Sequence, residues 1–129
     1  MMEERTTREI RVSVRSTYQP TYSKPTEDRY VFSYHVVIEN LGASTVRLLY
    51  RHWIITNALG GVQEVEGEGV IGRQPILEPG AGHSYDSWCP LPSPLGSMEG
   101  RYLMVDLETG EEFYVEVPRF HLAATVVLN

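Results

Sequence analysis

Cysteine is nearly absent from this chain: Cys89 is the only one among 129 residues. One thiol closes no internal disulfide, and no cysteine cluster is available to hold zinc. That favours a reducing compartment. Long apolar runs are also missing. No stretch approaches the roughly 20 residues a membrane helix needs. The charged start, Met1 to Arg15, lacks the apolar centre of a signal peptide. The expected location is the cytoplasm, with no membrane partner. Helical periodicity is the third absence. No window of about a dozen residues carries a 3.6-residue apolar stripe, and Pro and Gly interrupt each candidate.

Positive charge is short and unevenly placed. The net charge is −6. Residues 1–29 hold six Lys and Arg against five Asp and Glu, net +1, while residues 30–129 hold five against twelve, net −7. The acidic body repels a phosphate backbone, which argues against nucleic acid as a partner. The basic N-terminal strand with Arg5, Arg8, Arg11 and Arg15 is a local exception, read as a solvated strand face.

What is present fits one domain, residues 1–129, with 42% hydrophobic residues and room for one ordinary core. The dominant pattern has period two, the signature of half-buried antiparallel strands. Ile10, Val12 and Val14 alternate with charged and small residues; so do Tyr30, Phe32, Tyr34, Val36 and Ile38, and Phe113, Val115 and Val117. Over Val46–Ile55 the phase slips, from Val46 and Leu48 to Leu49, Trp53 and Ile55, which predicts a β-bulge near Tyr50. Turn residues at Asn40-Leu41-Gly42, Gly60-Gly61, Pro79-Gly80 and Thr109-Gly110 punctuate the strands. Tyr18 to Asp28 reads as a loop. Pro90, Pro92 and Pro94 read as another, because proline lacks the donor a central strand requires. About seven to nine short strands at this spacing predict an all-β fold, an antiparallel β-sandwich of the immunoglobulin or fibronectin kind.

Several motifs invite chemical readings. Gly67-Glu68-Gly69-Val70-Ile71-Gly72 fits the G-x-G-x-x-G spacing of dinucleotide-binding turns. That chemistry needs a helix after the glycines to hold the pyrophosphate, and Pro75 and Pro79 forbid one. Glu64, Glu66 and Glu68 share parity and would repel an anionic ligand. The glycines therefore read either as a bend with close backbone approach or as a shaped binding loop. The same carboxylates suit a hard cation such as Mg²⁺, although carboxylates on alternate strand residues are usually a solvated face. His35, His52, His83 and His121 show no ligand spacing, so no metal ligand set and no cofactor is expected. Gly96-Ser97-Met98-Glu99-Gly100 misses the spacing of a nucleophile elbow, and a triad would need Ser97 beside a histidine. Cys89, between Trp88 and Pro90, reads as a small hydrophobe.

Taken together, five stretches resemble the ApaG family. They are Arg29–Tyr34 through Ile38–Gly42, Arg51–Asn57, Val65–Pro75, Pro94–Gly100 with Tyr102, and Val117–Ala123. The resemblance runs from about Ile10 to the C-terminus. It implies a fibronectin-III-like sandwich and no established enzymatic activity. It also implies links to a neighbouring diadenosine-tetraphosphate hydrolase gene, to cobalt resistance and to magnesium efflux. The occurrence of the domain in a eukaryotic F-box protein and a polymerase-δ-interacting protein implies a protein-interaction module. Trp88, where many relatives carry Gly, and the lack of a Pro near Ala124 depart from the family pattern. The expected function is non-catalytic recognition of a protein partner. The candidate surface comprises Arg51, His52, Trp53, Gly67, Glu68, Gly69, Gly72 and Arg73. The alternative is a sensor for a divalent cation or a nucleotide polyphosphate.

Overall fold

The structure is a computed structural model that describes residues 2–124. Met1, at the head of the charged N-terminal stretch, and residues 125–129 of the expected domain lie outside the described residues. Alternating apolar residues form strands here because one face of each is wet and the other meets the opposing sheet. Nine strands result among the described residues: β1 Met2–Thr7, β2 Ile10–Tyr18, β3 Tyr30–Asn40, β4 Val46–Asn57, β5 Val62–Glu68, β6 Ile76–Leu77, β7 Gly82–Leu91, β8 Leu95–Asp106 and β9 Glu112–Ala123. They make two antiparallel sheets. One runs β1-β2-β3-β7. The other runs β5-β4-β8-β9, with β6 also paired to β4. No helix among the described residues is long and apolar enough to cross a membrane.

The inward faces match the alternation. Ile10, Val12, Val14, Phe32, Val36 and Ile38 are fully buried from one sheet, and Leu48, Tyr102, Met104, Val115 and Leu122 from the other. Aromatic rings lock the two layers at the centre. Trp53 of β4 meets Tyr34 of β3 edge-on at 5.6 Å and Tyr102 of β8 at 6.2 Å. A hydrogen bond of 2.5 Å between the hydroxyls of Tyr85 and Tyr102 crosses from sheet to sheet.

Three features differ from the sequence reading. Arg5, in the stretch read as one basic strand, lies on β1, which forms a hairpin with β2; Met2–Thr7 carries no apolar alternation to announce a separate strand. Pro90 lies within β7 and not in a loop; β7 is an edge strand, where a missing donor costs no ladder bond. The stretch Tyr18 to Asp28 contains two short 3-10 turns, Pro20–Tyr22 and Pro25–Glu27, each opened by its proline. On the basic N-terminal face, Arg11 pairs with Glu39 at 2.7 Å and Arg8 pairs with Glu111.

Candidate functional site

The bulge expected near Tyr50 organises the candidate site. The β4–β8 register shifts between Leu48 and Tyr50. Before the shift Val46 and Leu48 point inward; after it Trp53 does, flanked on the same parity by Arg51 and Ile55. Arg51 thus faces the sandwich interior. Its cross-strand neighbours are the buried Tyr102 on β8 and Gly67 on β5.

The edge opposite the bulge is broken at the same level. β5 pairs with β4 down to Glu68, and pairing resumes only at Ile76 of β6. The intervening residues leave the sheet as a tight turn. Val70 N–H donates to Arg73 O at 2.8 Å, and Arg73 N–H donates to Val70 O at 3.1 Å. The two central residues are left-handed, Ile71 at φ +48° and Gly72 at φ +70°. That is the signature of a type I′ turn, in which Asn-Gly is the favoured pair. A β-branched residue in this region is strained. Ile71 nevertheless sits at the tip, 59% exposed.

The glycines hold this excursion in place. A Cβ on Gly67 would lie 2.8 Å from both terminal nitrogens of Arg51, so the bare glycine admits the guanidinium. Arg51 Nη1 then donates to Glu68 O and Gly69 O, each at 3.0 Å. Gly69 is left-handed at φ +61°, and a Cβ there would sit 2.0 Å from Arg73 O. The carbonyl of Leu49, freed by the bulge, accepts from Gly69 N–H and from Gln74 Nε2, both at 2.9 Å. Each glycine of the G-x-G-x-x-G run therefore has a task at a sheet edge, steric at Gly67 and conformational at Gly69 and Gly72.

The eight candidate residues do not form one surface. Arg51, Trp53 and Gly67 share the inner face. His52 lies on the outer face, opposite Glu66 in the β4–β5 pairing. His52 Nε2 is buried with no hydrogen-bond partner among the described residues, 3.8 Å from Glu64 Oε1 and 3.7 Å from Glu66 Oε1. The Glu64, Glu66 and Glu68 stripe is exposed on the outer face, as its parity predicts. No group of three His, Cys, Asp or Glu side chains among the described residues is gathered closely enough to hold a metal ion. Ser97 lies opposite His121 in the β8–β9 register. Its hydroxyl accepts from Arg119 Nη2 at 3.4 Å, and no hydrogen bond among the described residues joins it to a histidine.

Between the broken edge and β7 a cleft of about 320 Å³ opens between the sheets. Sequence reasoning missed it, because it is built by two free edges brought together by topology. Arg51, Val65, the buried Tyr34 and Tyr85, and the exposed Ile71 and Trp88 line it. Trp88 is 51% exposed and meets Tyr22 edge-on at 5.2 Å. Burial raises the pKa of the Tyr34 hydroxyl, an effect opposed by the neighbouring Ser87 side chain. Burial also pushes the Cys89 thiol up to about 11. Cys89 is thus a neutral wall residue, as its sequence setting predicts.

Comparison with known proteins assigns these features to a family. The family model for the ApaG domain matches residues 20–106. Protein ApaG of Proteus mirabilis is 44% identical over 124 residues, covering 96% of this chain and 98% of that one. Protein ApaG of Rhodospirillum centenum is 53% identical over 116 residues, covering 90% of this chain and 88% of that one. The crystal structure of the putative ApaA protein from Bordetella pertussis superposes with a TM-score of 0.86 at 46% identity, covering 89% of this chain and 93% of that chain. The chain belongs to the ApaG family.

Proposed function

We propose that this protein is a non-catalytic recognition module that captures a protein partner at the broken edge of its five-stranded sheet. The observation that carries this reading is Ile71. An apolar, β-branched side chain is held out to solvent in a left-handed conformation that disfavours it. Folding alone gains nothing from that arrangement, since Asn at the same position would relieve the strain. Contact with a partner accounts for it. Trp88 across the cleft mouth adds a second exposed apolar side chain, and aromatic residues anchor interfaces well.

The free β5 edge beside the turn offers main-chain groups for strand pairing. Its outer Glu64, Glu66 and Glu68 would favour a partner segment with basic residues on that face. The module would act in the cytoplasm, away from membranes and nucleic acid, in the manner of a fibronectin-type sandwich that presents edges and loops. Sensing of a divalent cation or a nucleotide polyphosphate has weaker support. The carboxylate stripe opposes phosphate, and its spread along an exposed strand suits a solvated face better than a cation cage.

Ile71→Asn tests the reading. The variant should fold, with stability raised by about 1 kcal/mol as the left-handed penalty falls, and should lose partner capture. Retained capture at full strength would remove Ile71 from the interface.

A further inference from the structure

Arg51 is half-buried and carries a charge with no carboxylate partner among the described residues. It lies on the inner face of the sandwich, between the fully buried Tyr102 and the Gly67 backbone. Interior guanidinium groups are ordinarily paired with a carboxylate. Arg51 takes part in none of the ion pairs among the described residues. Its Nη1 is used on two backbone carbonyls, while Nε and Nη2 have no described acceptor. No Asp, Glu, Lys or second Arg lines the cleft. In a protein of net charge −6, the cleft therefore carries a single positive group. Around it Val65, Ile71, Trp88, Met98 and Pro90 supply apolar wall, and Gln63, Ser87, Tyr34 and Tyr85 supply polar groups.

We propose that the cleft between β5 and β7 binds a monocarboxylate with a compact apolar body, the carboxylate on Arg51 and the body against Val65, Met98 and Trp88. A guanidinium with two adjacent donors unused matches a carboxylate bidentately. The partly desolvated setting strengthens that pair relative to one in open water. The volume of about 320 Å³ is at the small end of ligand pockets, roughly 300–1,000 Å³, and accommodates a body of about one ring. The Ser87 side chain and the Tyr34 hydroxyl, both lining the cleft, add polar contacts that fix orientation. The cleft shares Ile71 and Trp88 with the partner-capture surface, but its ligand is set by the Arg51 charge, so acid binding read by titration and partner capture read with Ile71→Asn fail separately.

A free small acid and the C-terminal residue of a polypeptide present the same chemistry, so the test carries both. The full chain, labelled with ¹⁵N, is titrated with 3-phenylpropanoate and with N-acetylglycylphenylalanine, each beside its primary amide. At least one acid should shift the amide signals of Gly67–Arg73 and of Ser87–Cys89 saturably. Its amide should bind at least about tenfold more weakly, because the charge-assisted bonds are lost. The acid that binds identifies the source. Arg51→Met should abolish the shifts. Since that change also loosens the Gly69–Arg73 turn, Trp88→Ala serves as a second variant and should weaken the same acid several-fold. Binding of neither acid, equal binding of acid and amide, or shifts elsewhere on the fold would overturn the proposal.

Discussion

Gly69 and Gly72 are both left-handed, yet their surroundings separate them. A methyl on Gly69 meets the Arg73 carbonyl at 2.0 Å, whereas one on Gly72 meets nothing within 4 Å. Gly69→Ala should therefore cost more than about 2 kcal/mol, combining backbone strain with a clash against main chain. Gly72→Ala should cost only about 1 kcal/mol, the conformational part alone. Chemical denaturation of the two variants measures the difference, and equal losses would contradict the geometry. One consequence is that a bulky residue at Gly69 is a poor probe of recognition, because it damages the fold first. Ile71→Asn and Trp88→Ala act on exposed atoms and leave the core intact. The glycine spacing was legible in the sequence as a bend; the separate reason for each glycine was not, because it depends on Arg51 and Arg73 arriving from outside the motif.

Arg51 acts on an element, joining β4 to the excursion after β5. Gly67→Ala should displace its guanidinium, since the nearest atoms to the new methyl are the flexible end of that side chain. Global stability should fall by less than about 1 kcal/mol, while amide hydrogen exchange at Gly69–Arg73 should rise. Unchanged exchange would show that the Nη1 bonds to Glu68 and Gly69 do not hold the turn. The sequence carried much of this element. The parity slip in Val46–Ile55 located the bulge, and the alternation of Glu64, Glu66 and Glu68 placed them on one face. Parity also implies that Arg51 and His52, adjacent in sequence, face opposite ways. The candidate set nevertheless grouped them, because the family pattern joins them as neighbours. What alternation cannot supply is cross-strand register. Only pairing with β5 sets His52 against Glu66, and only the order of strands brings the free edges of β5 and β7 to one cleft.

Across the whole molecule, several buried groups lose stability together in alkali. Burial raises the pKa of Tyr85 and Tyr102, and pushes that of the Cys89 thiol up to about 11. The neutral forms are favoured in the folded state. The unfolded chain therefore releases these protons first, and stability falls as pH rises from about 9, near the ordinary thiol value, through about 11. Denaturant midpoints measured between pH 7 and 11 should decline over that window and stay level below it. For the same reason Cys89 should resist thiol reagents at pH 8 in the folded protein and react on unfolding. An immediate reaction would show that the cleft wall is open. Fold class, two-sheet layering and family were legible at this scale because alternation and turn residues recur along the chain. The cleft was not, since no single segment contains it. The central claim, recognition through the exposed turn, is tested most directly by quantitative affinity capture from a cell lysate with immobilised wild type, Ile71→Asn and, on the far edge of the same sheet, Tyr114→Ser. Proteins retained by wild type and Tyr114→Ser but lost with Ile71→Asn are the expected result. Equal retention by all three would contradict it.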